Sequence, residues 1–364
     1  MLPVAADPVW VFVALLWFVV LLYGFSVVWW VVETVVLARG WRVDDDEIEW
    51  GFDDIQVRIL TIDAAEVVQA TVDSIPDGIE DVRVVAEEPV EVSGATVHVV
   101  PEAFDCTATN KGRAVEWARR YVGCDNEYVL YLDEDTLVTG FEGLPDADVV
   151  QFTEKPLYTG LKTAYLCEVI RVGYQFEQLG FHRLRYPLYA WGGGVAIRAS
   201  LEDRIGWDVE TITEDTNFVW RAADAGDLTF RILDTRFRNQ APPSVRALFR
   251  QRRRWISGTV RDGHLLPTRY RPLYYSRVVA WALSPFVPLL ALVGYLWPAG
   301  VPTLGALWGF VRPVRTFEVT EKLTPERVEA THDTLDRGDI AAHEGTDRLI
   351  RDSDETFSGA VFDD

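Results

Sequence analysis

The chain has 364 residues and a formal net charge of −21, with an isoelectric point near 4.7. That length suits one domain of ordinary size with membrane segments, or two small domains. The acidity excludes nucleic acid as a general partner, because no basic face could run long enough. Only four of the 35 basic residues are lysine: Lys111, Lys155, Lys162 and Lys322. An acid-rich, lysine-poor chain fits solubility in multimolar salt, where repulsion between carboxylates is screened. A halophilic source is the expectation. Cys106, Cys124 and Cys167 form no CxxC pair and no disulfide framework. They read as small core residues in a reducing compartment.

Residues 1–8 read as a short external N-terminus. Residues 9–36 are almost wholly apolar, with Glu33 near the end. A membrane span needs about 20 such residues. Trp10, Trp17, Trp29 and Trp30 lie toward the ends, where indoles prefer the interface. No basic n-region precedes the stretch, and bulky tryptophans stand where a signal peptide would be cleaved. A retained anchor is predicted. Arg39 and Arg42 follow it while Asp7 precedes it, so residues from 40 onward are expected to be cytoplasmic.

Residues 43–270 alternate strand-like runs with helical patterns. Strands are predicted at 57–62, 82–86, 97–100, 128–132, 149–152 and 195–198, and helices at 64–74, 111–121 and 216–225. Such alternation predicts an α/β domain with a mainly parallel sheet. A second apolar region, 278–311, is broken by Pro298-Ala-Gly-Val-Pro302. It reads as a span near 278–297 followed by a short returning segment. Residues 316–364 form an acidic tail, with a helix start at Thr324-Pro325.

Three polar clusters carry chemistry. Tyr128-Val-Leu-Tyr-Leu132 is a buried-strand run ending at Asp133-Glu134-Asp135. Two carboxylates separated by one residue point the same way off an extended backbone. They suit Mn²⁺ or Mg²⁺ shared with a diphosphate; a solvated acidic turn is the bland alternative. Thr213-Glu214-Asp215 precedes a helical run, where acids are ordinary capping and dipole chemistry. An acid there can also be aimed at a cleft as a general base, and Asp215 is preferred with Glu214 in support. The third cluster is Gln251-Arg-Arg-Arg-Trp255. Arg250, Arg252 and Arg253 suit lipid headgroups. Gln251, Arg254 and Trp255 stand at i, i+3 and i+4 and share one helical face. Arginine binds phosphate oxygens, and an indole can stack on a sugar ring.

The order of these clusters resembles glycosyltransferase family 2, in the pattern DxD, TED, Q(Q/R)xRW of its membrane-embedded members. The closest subgroup resembles the egghead-type β-1,4-mannosyltransferases, through Val57-Arg-Ile-Leu-Thr61, Lys111-Gly-Arg-Ala114, Tyr131-Leu-Asp-Glu-Asp-Thr136 and Tyr186-Pro-Leu-Tyr-Ala-Trp-Gly192. The resemblance implies a GT-A fold, with Asp133 and Asp135 holding the metal and the donor diphosphate and Asp215 as base. It places Gln251, Arg254 and Trp255 over the diphosphate and acceptor, on an interfacial helix near 245–262. It also puts Lys111 near the nucleotide, and lets the Gly192-Gly193-Gly194 backbone approach the acceptor sugar. Many family members have a second-strand Asp that contacts the base. Here the stretch reads Val84-Val-Ala-Glu-Glu-Pro89, so Glu87 or Glu88 would replace it; Asp63 is another candidate.

The implied function is a metal-dependent inverting glycosyltransferase at the cytoplasmic membrane face. GDP-mannose is the favoured donor and a UDP-sugar the runner-up. The acceptor would be a lipid-linked sugar or glycolipid. A processive polysaccharide synthase and a non-catalytic membrane scaffold on a decayed transferase fold are the alternatives.

Overall fold

A computed structural model describes residues 8–283. The predicted returning segment, the acidic tail and most of the second predicted span lie outside these residues. The chain divides into two units, one containing residues up to Val31 and from Pro272, the other containing Val32–Arg271.

In the first unit, helix α1 covers Pro8–Val31. It is apolar all round and carries exposed Trp10, Leu21 and Val28. It continues as a wider π-helical segment, Val32–Leu37. The stretch Val13–Leu37 is long and apolar enough to cross a membrane. The Tyr23 hydroxyl donates to the carbonyl of Ala280, a residue of helix α8 (Arg271–Leu283).

The second unit is built on a mainly parallel sheet. Chain order runs through β1 (Ile48–Trp50), β2 (Ile55–Thr61), α2 (Ala65–Asp73), β3 (Val82–Ala86), β4 (Thr96–Val99), α3 (Lys111–Tyr121) and β5 (Tyr128–Asp133). It continues with β6 (Leu144–Pro145), β7 (Val149–Leu157), α4 (Lys162–Tyr174), β8 (Val195–Arg198), α5 (Ala199–Ile205), α6 (Glu214–Ala225), β9 (Phe230–Gln240) and α7 (Val245–Asp262). The seven-stranded sheet has the order β4-β3-β2-β5-β8-β7-β9, and β1 pairs separately with β6. Only β8 runs against its neighbours, β5 and β7. The parallel register sets Leu60 of β2 opposite Asp133 of β5. Asp133 therefore lies at the carboxyl end of the sheet, where ligands bind in such folds.

Both faces of the sheet are covered, which explains the near-continuous apolar runs of β2 and β5. Ile55, Val57, Ile59, Leu130 and Leu132 pack with Val68 and Val72 of α2. Leu60, Val129 and Tyr131 pack on the other side with residues of α3, α5 and α6. Predicted β2, β3, β4, β5 and β8 match within two residues, and helices α2, α3 and α6 match within two. The helix expected near 245–262 is α7. The sequence reading missed α4, α5 and β9, and it stopped β7 at Phe152. Strand β7 continues to Leu157 alongside β9, with a register shift between Phe152 and Thr153. That shift interrupts the alternation from which a strand is read. The cysteines also differ from expectation: all three are free thiols, and none is fully buried.

Beneath the sheet lies a charged group that the apolar pattern conceals. Arg58 of β2 is fully buried. Its guanidinium donates to Gln56 at 2.7 Å, to the Tyr131 hydroxyl at 2.9 Å and to the Gly123 carbonyl at 2.8 Å, and it pairs with Glu202 at 3.2 Å. Trp207 Nε1 donates to the same Glu202 carboxylate at 2.8 Å. Removing one member strands a buried charge. Arg58→Met alone should therefore cost about 3–5 kcal/mol in urea unfolding of the detergent-solubilised protein. Arg58→Met with Glu202→Gln should recover a large part of that loss.

Candidate functional site

The site grows from the end of β5. Glu134 turns away from it: Thr61 Oγ1 donates to its carboxylate at 2.6 Å, and Thr71 Oγ1 donates to its carbonyl at 2.5 Å. Burial raises its pKa, against the Thr61 hydrogen bond. Asp133 accepts an ion-paired hydrogen bond from Lys111. Asp135 lies beside the backbone of Gln240, the last residue of β9. Thr136 Oγ1 donates to Asn239 Oδ1 at 2.6 Å, and Leu137 bridges to Arg238. The strand missed in the sequence is thus the one that holds the acidic segment from the far side.

Lys111 is the first residue of α3. The preceding Asn110 has φ of 51° and ψ of −131°, a positive-φ conformation that glycine adopts more readily. Besides Asp133, the ammonium stands 3.6 Å from Glu214 Oε1, at the start of α6. Burial opposes its charge, but Asp133, Glu214 and Asp215 outweigh burial and hold its pKa above the ordinary lysine range. One lysine therefore joins the DxD strand end to the TED helix start. A side chain at Gly192 would place its Cβ 2.3 Å from Lys111 Nζ and 3.7 Å from Asp133 Oδ1. Glycine is needed there for close approach, whatever its dihedral angles.

Two carboxyl groups respond to this crowding. Burial pushes Asp135 up to about 8, reinforced by the charges of Asp133 and Glu134. Burial also pushes Asp215 up to about 7; Glu214 adds to this and Lys111 opposes it. A carboxyl group tuned near neutrality is suited to accept a proton at working pH. Among the described residues, no three His, Cys, Asp or Glu side chains cluster to hold a metal ion. Asp133 and Asp135 could still supply two oxygen ligands, leaving the remaining positions to phosphate oxygens and water. That is the usual arrangement for Mg²⁺ at a nucleotide.

The loop before β8 is pinned on two sides. Gln151 of β7 donates to the carbonyls of Trp191 (3.1 Å) and Gly194 (2.6 Å), and accepts from Trp191 N at 3.2 Å. Thr216 Oγ1 exchanges hydrogen bonds with the backbone of Ala190. Trp191 Nε1 and Asn239 Nδ2 are buried with no hydrogen-bond partner among the described residues. Buried donors of this kind ordinarily find a partner, and a bound polar ligand could be one. Gln151 and Asn239 carried no signal in sequence, because neither stands in a motif and both depend on strand pairing.

Helix α7 carries the third cluster. Ser244 caps it, accepting from Ala247 N at 3.0 Å. Gly258 packs against Thr213, with Ile212 beside it, so α7 lies against the turn that leads into Glu214 and Asp215. Two guanidinium groups lie near the Trp255 ring, Arg252 at 4.7 Å and Arg171 at 5.4 Å from its centre. Arg171 is itself held by Glu154 and Glu168. Arg252 pairs with Glu168, which departs from its reading as a lipid-facing residue. Burial lowers Arg252 to about 10, with Glu168 opposing. Arg254 is exposed and makes no ion pair among the described residues, and Gln251 Oε1 is buried without a partner.

The structure thus brings Lys111, Asp133, Glu214 and Asp215 together, with Asp135 repelled by its neighbour Asp133. Gln251, Arg254 and Trp255 lie on the helix packed beside the Thr213 turn, with no hydrogen bond or ion pair to those carboxylates. Glu87 stands apart at the end of β3, paired with Arg113. Arg113 in turn donates to the carbonyls of Pro101 (2.7 Å) and Phe104 (3.2 Å).

The model of glycosyl transferase family group 2 matches residues 128–312, more than half of the chain. The chain belongs to this family. It is a glycosyltransferase. No curated protein matches it. Among solved structures it is similar to a mannosyltransferase from Pyrobaculum calidifontis in complex with GDP-mannose and Mn²⁺. The TM-score is 0.57 at 14% identity, over 92% of this chain and 98% of that one. Similarity at this level shows the fold, an α/β GT-A-like domain with a mainly parallel sheet. A partial likeness extends to glucosyl-3-phosphoglycerate synthase from Mycobacterium tuberculosis with Mn²⁺, UDP and glucosyl-3-phosphoglycerate. There the TM-score is 0.37 at 15% identity, over 59% of this chain and 81% of that one.

The raised pKa of Asp215 fixes the sign of a pH effect. Its ordinary value is 3.8 and its folded value about 7, so its protonated form favours the fold. That contribution is complete below pH ~4 and is lost as pH rises through ~7. Asp215→Asn cannot ionise, so in urea unfolding the variant should gain stability relative to wild type from pH 5 to pH 8. An unchanging difference would mean Asp215 titrates normally.

Proposed function

We propose that this glycosyltransferase is membrane-anchored, metal-dependent and inverting, with Asp215 as the base. The observation that carries the reading is the Lys111 bridge, which sets a DxD strand end against the TED carboxylates. The favoured donor is GDP-mannose, by analogy with the Pyrobaculum neighbour and with the egghead-type subgroup that the motifs resemble. The acceptor is a lipid-linked sugar or glycolipid.

Asp133 and Asp135 would hold Mn²⁺ or Mg²⁺, and the bound charge would stabilise a departing nucleoside diphosphate. The crowding that pushes Asp135 up to about 8 is what a divalent cation relieves. Asp215 takes the proton from the acceptor hydroxyl, and Glu214 supports it. The hydroxyl oxygen bonds to the anomeric carbon as the bond to the diphosphate oxygen breaks on the opposite face. The nucleoside diphosphate leaves with the bonding pair. Arg254, with no ion pair among the described residues, binds phosphate oxygens, and Gln251 supports that contact. Trp255, oriented by Arg171 and Arg252, stacks on a sugar ring. Lys111 keeps the cluster of carboxylates compatible with an anionic donor, and Glu87 approaches the base.

Anchoring rests on α1, and Arg39 and Arg42 after it support a cytoplasmic side for residues 43–270. A further support is the surface of α4 and α7. Phe249 is 66% and Ile170 61% exposed, with Leu166 and Val245 also exposed beside Arg246 and Arg253. Apolar side chains among arginines suit the headgroup boundary of a bilayer, where a lipid-linked acceptor lies. The acidic composition further supports a high-salt environment. Raising KCl from about 0.1 M to about 2 M should increase the thermal midpoint, by screening carboxylate repulsion.

The test of function uses the purified full chain in high salt with Mn²⁺, supplied with GDP-mannose or a UDP-sugar. Wild type should release GDP from GDP-mannose in the presence of acceptor lipid, at a rate that rises with pH as Asp215, held above the ordinary aspartate range by burial, ionises. Asp215→Asn should lose at least about 100-fold. Equal release by both proteins would remove Asp215 from the role of base.

A further inference from the structure

The Lys111 cluster accounts for the acids at the sheet end, and a buried carboxylate on α7 lies outside it. Asp262 is the last residue of α7 and is 4% exposed. An acid at a helix C-terminus faces the negative end of the helix dipole, and burial penalises its charge further. Helix stability therefore does not explain it. Its Oδ2 accepts two hydroxyl hydrogen bonds, from Thr211 at 2.5 Å and from Thr213 at 3.2 Å. Thr211 Oγ1 also accepts from Thr213 N at 3.0 Å, which fixes the turn.

Thr213 supplies a second, independent observation. It occupies the N-cap position of α6, yet its side chain makes no capping hydrogen bond there. Threonine at that position ordinarily accepts from the first helical amides. Here the hydroxyl is directed to Asp262 on another helix. The two elements also approach closely. A Cβ on Gly258 would lie 2.6 Å from Thr213 Cγ2, 2.7 Å from Thr213 Oγ1 and 2.9 Å from Ile212 Cγ1.

Gln251, Trp255, Gly258 and Asp262 stand at i, i+4, i+7 and i+11, a single stripe along α7. The distal end of that stripe grips the turn that presents Asp215. Its proximal end carries the side chains assigned above to the diphosphate and the sugar. We propose that Asp262 is a positioning residue for the transfer reaction. By clamping α7 to the Thr211–Thr213 turn, it sets the separation between Asp215 and the Arg254–Trp255 pair. Asp262 itself touches neither substrate nor metal. The inference rests on the functional reading above, and its test can fail separately from that reading.

The experiment compares wild type with Asp262→Ala, Asp262→Asn, Thr211→Val and the Asp262→Ala/Thr211→Val double variant. GDP release is measured from GDP-mannose with Mn²⁺ and phosphatidylglycerol vesicles carrying a polyprenyl-phosphate-linked sugar. The affinity for GDP with Mn²⁺ is measured separately. Misplacement of groups by about 1 Å can cost about 100-fold, so Asp262→Ala should lower kcat by about 10- to 100-fold. GDP affinity should fall much less than kcat, because Lys111, Asp133 and Asp135 are held by other contacts. Asp262→Asn retains one carbonyl acceptor and should recover part of kcat. If Asp262 acts through Thr211, the double variant should be no worse than Asp262→Ala. Unchanged kcat in Asp262→Ala, additive losses in the double variant, or GDP affinity falling in step with kcat would each overturn the proposal. Thr211→Val, which removes a single hydroxyl, carries the test if Asp262→Ala fails to fold. Hydrogen exchange reads the clamp without turnover. Asp262→Ala should speed exchange in 211–215 and 245–262 and leave α3 unaltered; unchanged exchange in those two segments would also refute the clamp.

Discussion

A single ammonium among carboxylates organises this molecule. Asp133, Glu214 and Asp215 come from segments about eighty residues apart, and in a partly buried cleft their charges repel. Lys111 makes their meeting tolerable. To reach them all, α3 must begin, β5 must end and α6 must begin at the same edge of the sheet. The parallel pairing of β2 with β5 supplies that edge. The close packing of Gly192 over Lys111 follows from the same demand. A chain with 56 acids and only four lysines places one of those lysines where three carboxylates converge.

A second layer of charge orients the groups around this centre. Glu134 stands between two aspartates yet belongs to Thr61 and Thr71, which leaves the aspartates on either side free of it. Glu154 and Glu168 hold Arg171 and Arg252 against the Trp255 ring. Asp262 ties the far end of the same helix to the turn before Asp215. In each case a buried or half-buried acid has an assigned donor, as the cost of an unpaired buried charge requires. The surface acids contribute to a net charge of −21, which favours solubility through self-repulsion between molecules.

The sequence was readable where one physical pattern acted alone. The five apolar residues before Asp133 are buried on both sides, and a buried parallel strand has that appearance. Helix α7 was legible through Gln251, Arg254 and Trp255 at i, i+3 and i+4 and through the family resemblance, which implied an interfacial helix there. Strand β9 was not, because its residues mix arginines with apolar side chains and its pairing with β7 slips. Helix α4 escaped because Leu166 and Ile170 are exposed, so its apolar positions do not trace an inward face. Arg252 was read from its neighbours in sequence as a headgroup ligand. Its partner, Glu168, is 84 residues away, a distance that no local pattern spans.

By itself the sequence determined the α/β alternation, the order of the acidic and arginine clusters, and the apolar helix at the start. Those follow from side-chain periodicity and residue chemistry, which are local. The tertiary structure alone decided which acid meets which base. It joined Lys111 to Asp133 and Glu214, turned Glu134 aside, and laid α7 on the Thr213 turn through a glycine and a buried aspartate. Such pairings depend on strand order and helix packing, and charge attraction acts through space without regard to position along the chain.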